Sequence, residues 1–215
     1  MNPASTAATN TAAGSIAAKR GRPSTGARER ILEAAIEVLK SDGYAGLTIA
    51  KVAAVAGDSK SLVVYHYGSK QGLVQAAGRA IAEMITDEVL AAVDGADTVE
   101  AVIRGVDAGV ERVLDRDERV ARLYFDLAAV SVVDPAIRET IAEVNEQWRV
   151  VLIQLLTEAS DGVPAGRARV LALMVIAGAQ GMTLERIERG PTAERKRARE
   201  LFIDSAVAAS SHTRA

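Results

Sequence analysis

The residues best suited to chemistry lie between Thr48 and Lys70. This stretch gathers the hydroxyls of Thr48, Ser59, Ser61 and Tyr65, the imidazole of His66 and the ammonium groups of Lys60 and Lys70. Hydroxyl, ring N–H and ammonium groups, some of them beside helix N-termini, favour phosphate oxygens. Upstream, Lys19-Arg20-Gly21-Arg22-Pro23 forms a compact basic cluster. Extended basic arms of this kind lie in the narrow, electronegative minor groove of A·T-rich DNA. Other chemistry has little material. The chain has no cysteine and only two histidines, His66 and His212. Disulfides, thiolate metal sites and a cysteine nucleophile are therefore excluded. No metal-ligand cluster, phosphate loop or nucleophile elbow appears, so no catalytic residue, metal or cofactor is expected.

Such groups work only if helices hold them. Ile31, Leu32, Ala35, Val38 and Leu39 recur at spacings of three and four, which predicts a first helix from Arg28 to a stop at Gly43. Thr48 is a good N-cap for a short second helix ending near Ala56. Gly57-Asp58 turns the chain, and Ser59 can cap a third helix reaching about Tyr65. Small Ala53, four residues before Gly57, lets the second of these helices cross closely, while Val52 and Val63 fill the shared core. That is the arrangement a helix-turn-helix needs. Ser69 caps a fourth helix carrying Leu73, Ala77, Ile81 and Ile85.

Helices are predicted to continue to the C-terminal end, at about 98–114 and 117–130, from Asp134-Pro135 to a stop at Asp161-Gly162, and at about 164–188 and 192–210. Asp134-Pro135 is a strong start signal, with proline at the first helical position. Ile137, Ile141, Val144, Trp148, Val151 and Leu155 form a seam along one helix. Ala198, Leu201, Phe202, Ser205 and Ala209 share one face of the last. Gly105 and Gly109 read as a close helix contact, and Gly178 and Gly181 as packing glycines inside the penultimate helix. The count is about nine helices and no credible strand.

Composition agrees with an all-α chain. Of 215 residues, 49% are apolar, 25% charged and only 3% aromatic. The core must be aliphatic and alanine-rich, which favours helix over sheet. Residues 1–27 are small and polar and read as a flexible basic arm. The first 18 residues carry no charged side chain, so no secretory signal is expected. The longest uncharged apolar run, Val170–Leu184, is 15 residues, short of the roughly 20 that cross a bilayer. No membrane association is expected, and the chain is placed in the cytoplasm. The net charge of −2 hides a division: residues 1–70 hold nine Lys/Arg and five Asp/Glu, and residues 71–215 hold seventeen and twenty-three. The cationic part suits a nucleic-acid partner and the anionic part would face away from it.

The segment from Arg28 to Leu73 resembles the tetracycline-repressor (TetR) family. Gly43-Tyr44, Thr48, Val52-Ala53, Ala56-Gly57, Ser59, Val63, Tyr65-His66-Tyr67 and Ser69-Lys70 carry the likeness. It implies a helix-turn-helix DNA-binding domain over 28–70 and a helical ligand-binding and dimerisation domain over 71–215. It also implies that Ser59, Lys60, Ser61 and Val64 face base edges in the major groove. Thr48, Tyr65, His66 and Lys70 would position the DNA backbone, with Arg20 and Arg22 reaching the minor groove. Tyr67 is expected in the core. Two residues depart from the pattern: Asp58 replaces a small aliphatic residue and would repel phosphate, and Val64 stands where tyrosine is common. Asp58 is expected to face solvent or to cap the third helix.

The same likeness implies a homodimer joined through the last two long helices, reading a palindromic double-stranded operator, and a small-molecule effector held between helices. The expected function is a ligand-responsive repressor. Candidate cavity residues are Tyr124, Phe125, Trp148 and Met174, then Met182, with Arg104, Asn145 or Gln180 as polar anchors. Few aromatics favour an aliphatic or acyl effector over a flat aromatic one. The alternatives are an all-helical enzyme and a dimerisation module without a DNA function.

Overall fold

The computed structural model describes residues 26–211. Among these there are nine helices and no strand: α1 (Ala27–Gly46), α2 (Ile49–Ala56), α3 (Lys60–Tyr67), α4 (Lys70–Val93), α5 (Val99–Asp117), α6 (Arg119–Ser131), α7 (Pro135–Glu158), α8 (Ala165–Arg189) and α9 (Ala193–Ser211). The all-helical expectation holds. Side-chain caps start many of the helices. Thr48, Ser59, Ser69 and Thr98 each accept a backbone N–H from the first turn they precede, and Asp134 accepts two. Each such cap relieves one of the donors that a helix N-terminus leaves without a partner.

Two apolar clusters hold the helices together. The first runs from Ile31, Val38 and Leu39 on α1 through Val52, Val63, Leu73 and Ile81 to Leu123, Leu127 and Ile137 on α6 and α7. The second joins the end of α4 to α5, α7, α8 and α9 through Val102, Ile103, Leu152, Leu156, Leu171, Val175 and Ile203. Helix α4 belongs to both. Its C-terminal half touches α5 almost backbone to backbone. A Cβ at Gly105 would fall 2.9 Å from the Ala92 carbonyl oxygen, and one at Gly109 would fall 2.7 Å from the Val89 Cα. The close contact read from these two glycines is therefore real. At Gly178 the Phe202 ring occupies the place a side chain would take.

The last helix differs from its predicted face. Arg195, Ile203 and Ala206 are buried, whereas Leu201, Ser205 and Ala209 are exposed. The reason is a knot of charge under α9. The Glu111 carboxylate of α5 meets Arg186 at 2.9 Å, Arg199 at 2.8 Å and also Arg195. Asp115 pairs with Arg186 at 2.7 Å and Asp107 with Arg199 at 3.1 Å. The Arg195 side chain is only 5% exposed, and its Nε–H donates to the Met182 carbonyl.

Opposite this knot, α8 keeps an apolar seam in solvent. Val170, Leu173, Ala177, Gly181 and Leu184 recur every three or four residues and all are exposed. By length and composition α8 is also long and apolar enough to cross a membrane, although only 28% of that window is buried. A Cβ at Gly181 would meet nothing within 4 Å.

Candidate nucleic-acid interface and internal cavity

The turn between α2 and α3 is held by backbone geometry. Gly57 adopts a left-handed φ of 68°, and the N–H groups of Gly57 and Asp58 return to the carbonyls of Ala54 and Ala53. This closes α2 in a way that favours glycine. Val52 and Val63 are fully buried beneath the turn. Thr48 Oγ1 accepts from Lys51 N at 3.1 Å, and Ser59 Oγ accepts from Leu62 N at 3.2 Å while lying 2.9 Å from Ser61 Oγ. What this leaves in solvent is Lys60, Ser61, Val64 and Tyr65, the last 74% exposed. Val55, exposed near the end of α2, adds an apolar side chain that the sequence pattern did not single out.

The remaining candidates are more engaged. His66 is half-buried, edge-on to the Tyr65 ring, and its buried Nε2 has no hydrogen-bond partner among the described residues. Tyr67 packs inward as expected: its hydroxyl donates to the Arg28 carbonyl at 2.7 Å beneath the Arg28 guanidinium. The Lys70 ammonium donates to the Tyr44 carbonyl at 2.8 Å and lies over the Tyr44 ring. Asp58 does not cap α3, because Ser59 does. Its carboxylate, 11% exposed, accepts two hydrogen bonds from Arg30, so its charge is paired rather than presented bare to phosphate. Arg20 and Arg22 lie outside the described residues.

A joint ties this head to the rest of the chain. Gly43 breaks α1 at φ 67°, ψ −176°, and a further turn follows to Gly46 instead of the helix ending there. The freed Tyr44 N–H donates to Asp126 Oδ2 on α6 at 2.6 Å, and the Tyr44 hydroxyl donates to Asp134 at 3.3 Å. Nearby, Lys40 pairs with Asp117 at 3.2 Å. Hydrogen bonds from Arg119 and Lys40 hold the Asp117 carboxyl down to about 2, so this pairing persists across physiological pH. Asp126→Ala should leave the Tyr44 N–H unsatisfied and cost about 1–3 kcal/mol, read as a lower thermal midpoint. Asp126→Asn, which keeps an acceptor, should lose less.

Next to the joint lies a cavity of about 120 Å³, walled by α4, α5, α6, α7 and α8. Tyr124, Phe125 and Trp148 line it, with Val89, Val110 and Leu152 among the aliphatic walls. The Tyr124 ring packs edge-on to Phe125 and tilted against Trp148, with centroids 5.3 Å apart in both pairs. Trp148 Nε1 donates to Thr86 Oγ1 at 3.0 Å. Tyr124, Asn145 and Gln180, from three different helices, hydrogen-bond one another at 2.8–3.2 Å. Burial raises the Tyr124 phenol above its ordinary value, so it stays protonated. Met174 is not at this cavity: it packs into the second apolar cluster. Met182 lines a smaller neighbouring hollow, and Arg104 pairs outside with Glu100 and Asp204.

Helix α6 thus presents Tyr124 and Phe125 to the cavity and the next residue, Asp126, to the joint. Successive side chains on a helix point about 100° apart, so one rigid element touches both.

Comparison with known proteins matches residues 31–77 to the family described as bacterial regulatory proteins, tetR family. The transcriptional regulator CymR of Pseudomonas putida is 28% identical over 184 residues, covering 80% of this chain and 89% of that protein. SCO1917 of Streptomyces coelicolor, a TetR-family member of known structure, is 26% identical with a TM-score of 0.66, covering 83% and 96% of the two chains. The multidrug-binding protein EbrR, solved with malachite green, is 25% identical with a TM-score of 0.62, covering 81% and 95%.

Proposed function

Because this chain belongs to the tetR family of DNA-binding transcriptional regulators, we propose that it works as a homodimeric repressor that binds a palindromic operator and is released by a small molecule. The observation that carries this reading is the capped turn that leaves Lys60, Ser61, Val64 and Tyr65 exposed on a short, rigid helix. A helix of that size fits the major groove, where lysine reaches guanine acceptors and valine a thymine methyl. Ser59 would join Lys60, Ser61 and Val64 at the base edges, and Thr48, Tyr65, His66 and Lys70 would position phosphates; for Lys70 this uses the ammonium hydrogens not given to Tyr44.

The exposed seam on α8 supports dimerisation, as does Leu201 of α9, which is 68% exposed. Two copies packed through these helices would cover an apolar surface that a lone chain leaves wet. They would also set two reading helices about 34–36 Å apart, the spacing of successive major grooves. On this reading residues 28–70 form the DNA-binding domain, 71–215 the effector and dimerisation domain, and the protein acts in the cytoplasm with its DNA. The cavity beside Tyr124, Phe125 and Trp148 would receive the effector, and its aliphatic walls suit an aliphatic or acyl body.

Purified protein titrated onto its own upstream DNA should show sequence-selective, salt-dependent binding. Equal affinity for unrelated DNA at every salt concentration would refute the reading. Lys60→Ala should lose about 1–3 kcal/mol of discrimination between matched and altered operator bases, measured by competition between DNA duplexes.

A further inference from the structure

We propose that the molecule taken by this cavity is uncharged and carries a hydroxyl on a compact apolar body. This rests on the reading of the cavity as the effector site. No Asp, Glu, Lys, Arg or His is among the residues that line it. An ion placed there would lose its hydration and find no counter-charge, which strongly disfavours the charged form.

The hydroxyl- and amide-bearing residues of the lining are Thr86, Tyr124, Gln180 and Thr183, and Asn145, which does not line the cavity, is bonded to Tyr124 and Gln180. The Tyr124 hydroxyl donates to Asn145 Oδ1, and Gln180 Nε2 donates to both the Tyr124 hydroxyl and Asn145 Oδ1. Among the described residues, the other half of each amide has no hydrogen-bond partner. Gln180, itself on the cavity wall, therefore keeps one amide group for a ligand. If the chain of bonds ran the other way, the free group would change from oxygen to NH2. A ligand hydroxyl satisfies either case, because it both donates and accepts. The volume, about 120 Å³, is of the class that holds a single small ring or a short chain.

Trp148, the sole tryptophan of the chain, stands in the cavity wall and reports occupancy. Titration of the full-length protein with 1-hexanol, hexanoate and hexylammonium, followed by Trp148 emission, tests the proposal. The expected result is saturable binding of hexanol at least tenfold tighter than either ion. Gln180→Leu should weaken hexanol at least threefold while the protein still melts cooperatively. Hexanoate or hexylammonium binding as tightly as hexanol would overturn the proposal, and so would a Trp148 emission that hexanol leaves unchanged up to its solubility. Operator binding measured on the same preparation separates the two levels. Protein that binds operator yet prefers an ion loses only this proposal, whereas protein without selective DNA binding loses the regulator reading itself.

Discussion

Glu111→Ala should unfold this protein about 6–12 °C earlier than wild type, a loss of about 3 kcal/mol at roughly 2–4 °C per kcal/mol for a chain of this size. Glu111 is the carboxylate on which Arg186, Arg195 and Arg199 converge. Removing it spares Arg186 and Arg199, which keep Asp115 and Asp107. It leaves Arg195 buried with the Met182 carbonyl and without its salt-bridge partner, Asp107 acting on it only at longer range. A buried cation stripped of its partner is costly, at about 3–5 kcal/mol. The low end applies because the Glu111 side chain is still 17% exposed. Glu111→Gln should lose less, and the double replacement Glu111→Met, Arg195→Met should recover part of the loss, because it removes the desolvated charges together. Burial pushes the Glu111 carboxyl up, but the hydrogen bond from Arg195 and the charges of Arg199, Arg195 and Arg186 outweigh it and hold it below its ordinary value. A carboxylate depressed in this way stabilises the fold above its unfolded pKa, and that contribution fades as pH falls through the folded one. The difference in midpoint between wild type and Glu111→Ala should therefore shrink below about pH 4. Thermal melts across pH check both points.

The second large effect concerns DNA rather than the fold. In the proposed dimer, Leu173→Asp should favour the monomer and weaken operator binding by about 10²- to 10⁴-fold, the advantage lost when the second reading head is no longer tethered to the first. Leu173 is 57% exposed, so the aspartate has water to face in the single chain and the fold should tolerate it. In the paired helices it would be buried against apolar neighbours from the second copy, opposite its own counterpart of like charge. Sedimentation velocity reads the oligomeric state, fluorescence anisotropy the affinity, and circular dichroism the unchanged helix content. A variant that stays dimeric would show that the α8 seam is not the interface.

What could be read from the sequence is what local rules control. Thr48, Ser59, Ser69 and Asp134-Pro135 announce helix starts because capping acts within three residues of the cap. Glycines at positive φ, such as Gly57, mark turns for an equally local reason. The HTH-bearing segment was legible because its core and its caps are consecutive in the chain. The face of α9 was not, since periodicity counts apolar side chains and here a guanidinium, Arg195, occupies a core position. Asp126 was invisible as a joint residue because its partner, Tyr44, lies 82 positions away. The cavity was half legible. Tyr124, Phe125 and Trp148 stood out as rare aromatics and do meet at one wall. Met174 did not join them, because whether an apolar side chain faces a void or a neighbour depends on how helices cross.

The two glycines of α5 also determine where α4 can pivot. With no side chains at Gly105 and Gly109 to yield, the segment of α4 from Glu88 to Val93 is held close against α5 and would be the fulcrum of any tilt of α4. From Val89 to Lys70 the helix runs 19 residues, about 28 Å at 1.5 Å per residue. A lever of that length magnifies: tilting α4 by about 5° at the clamp carries its N-terminus through about 2.5 Å. The carried end bears Lys70, which grips Tyr44 in the head, and the cavity wall formed by Ile85 and Val89 sits next to the pivot. In such a tilt, small displacements at the short arm would arrive at the long arm enlarged.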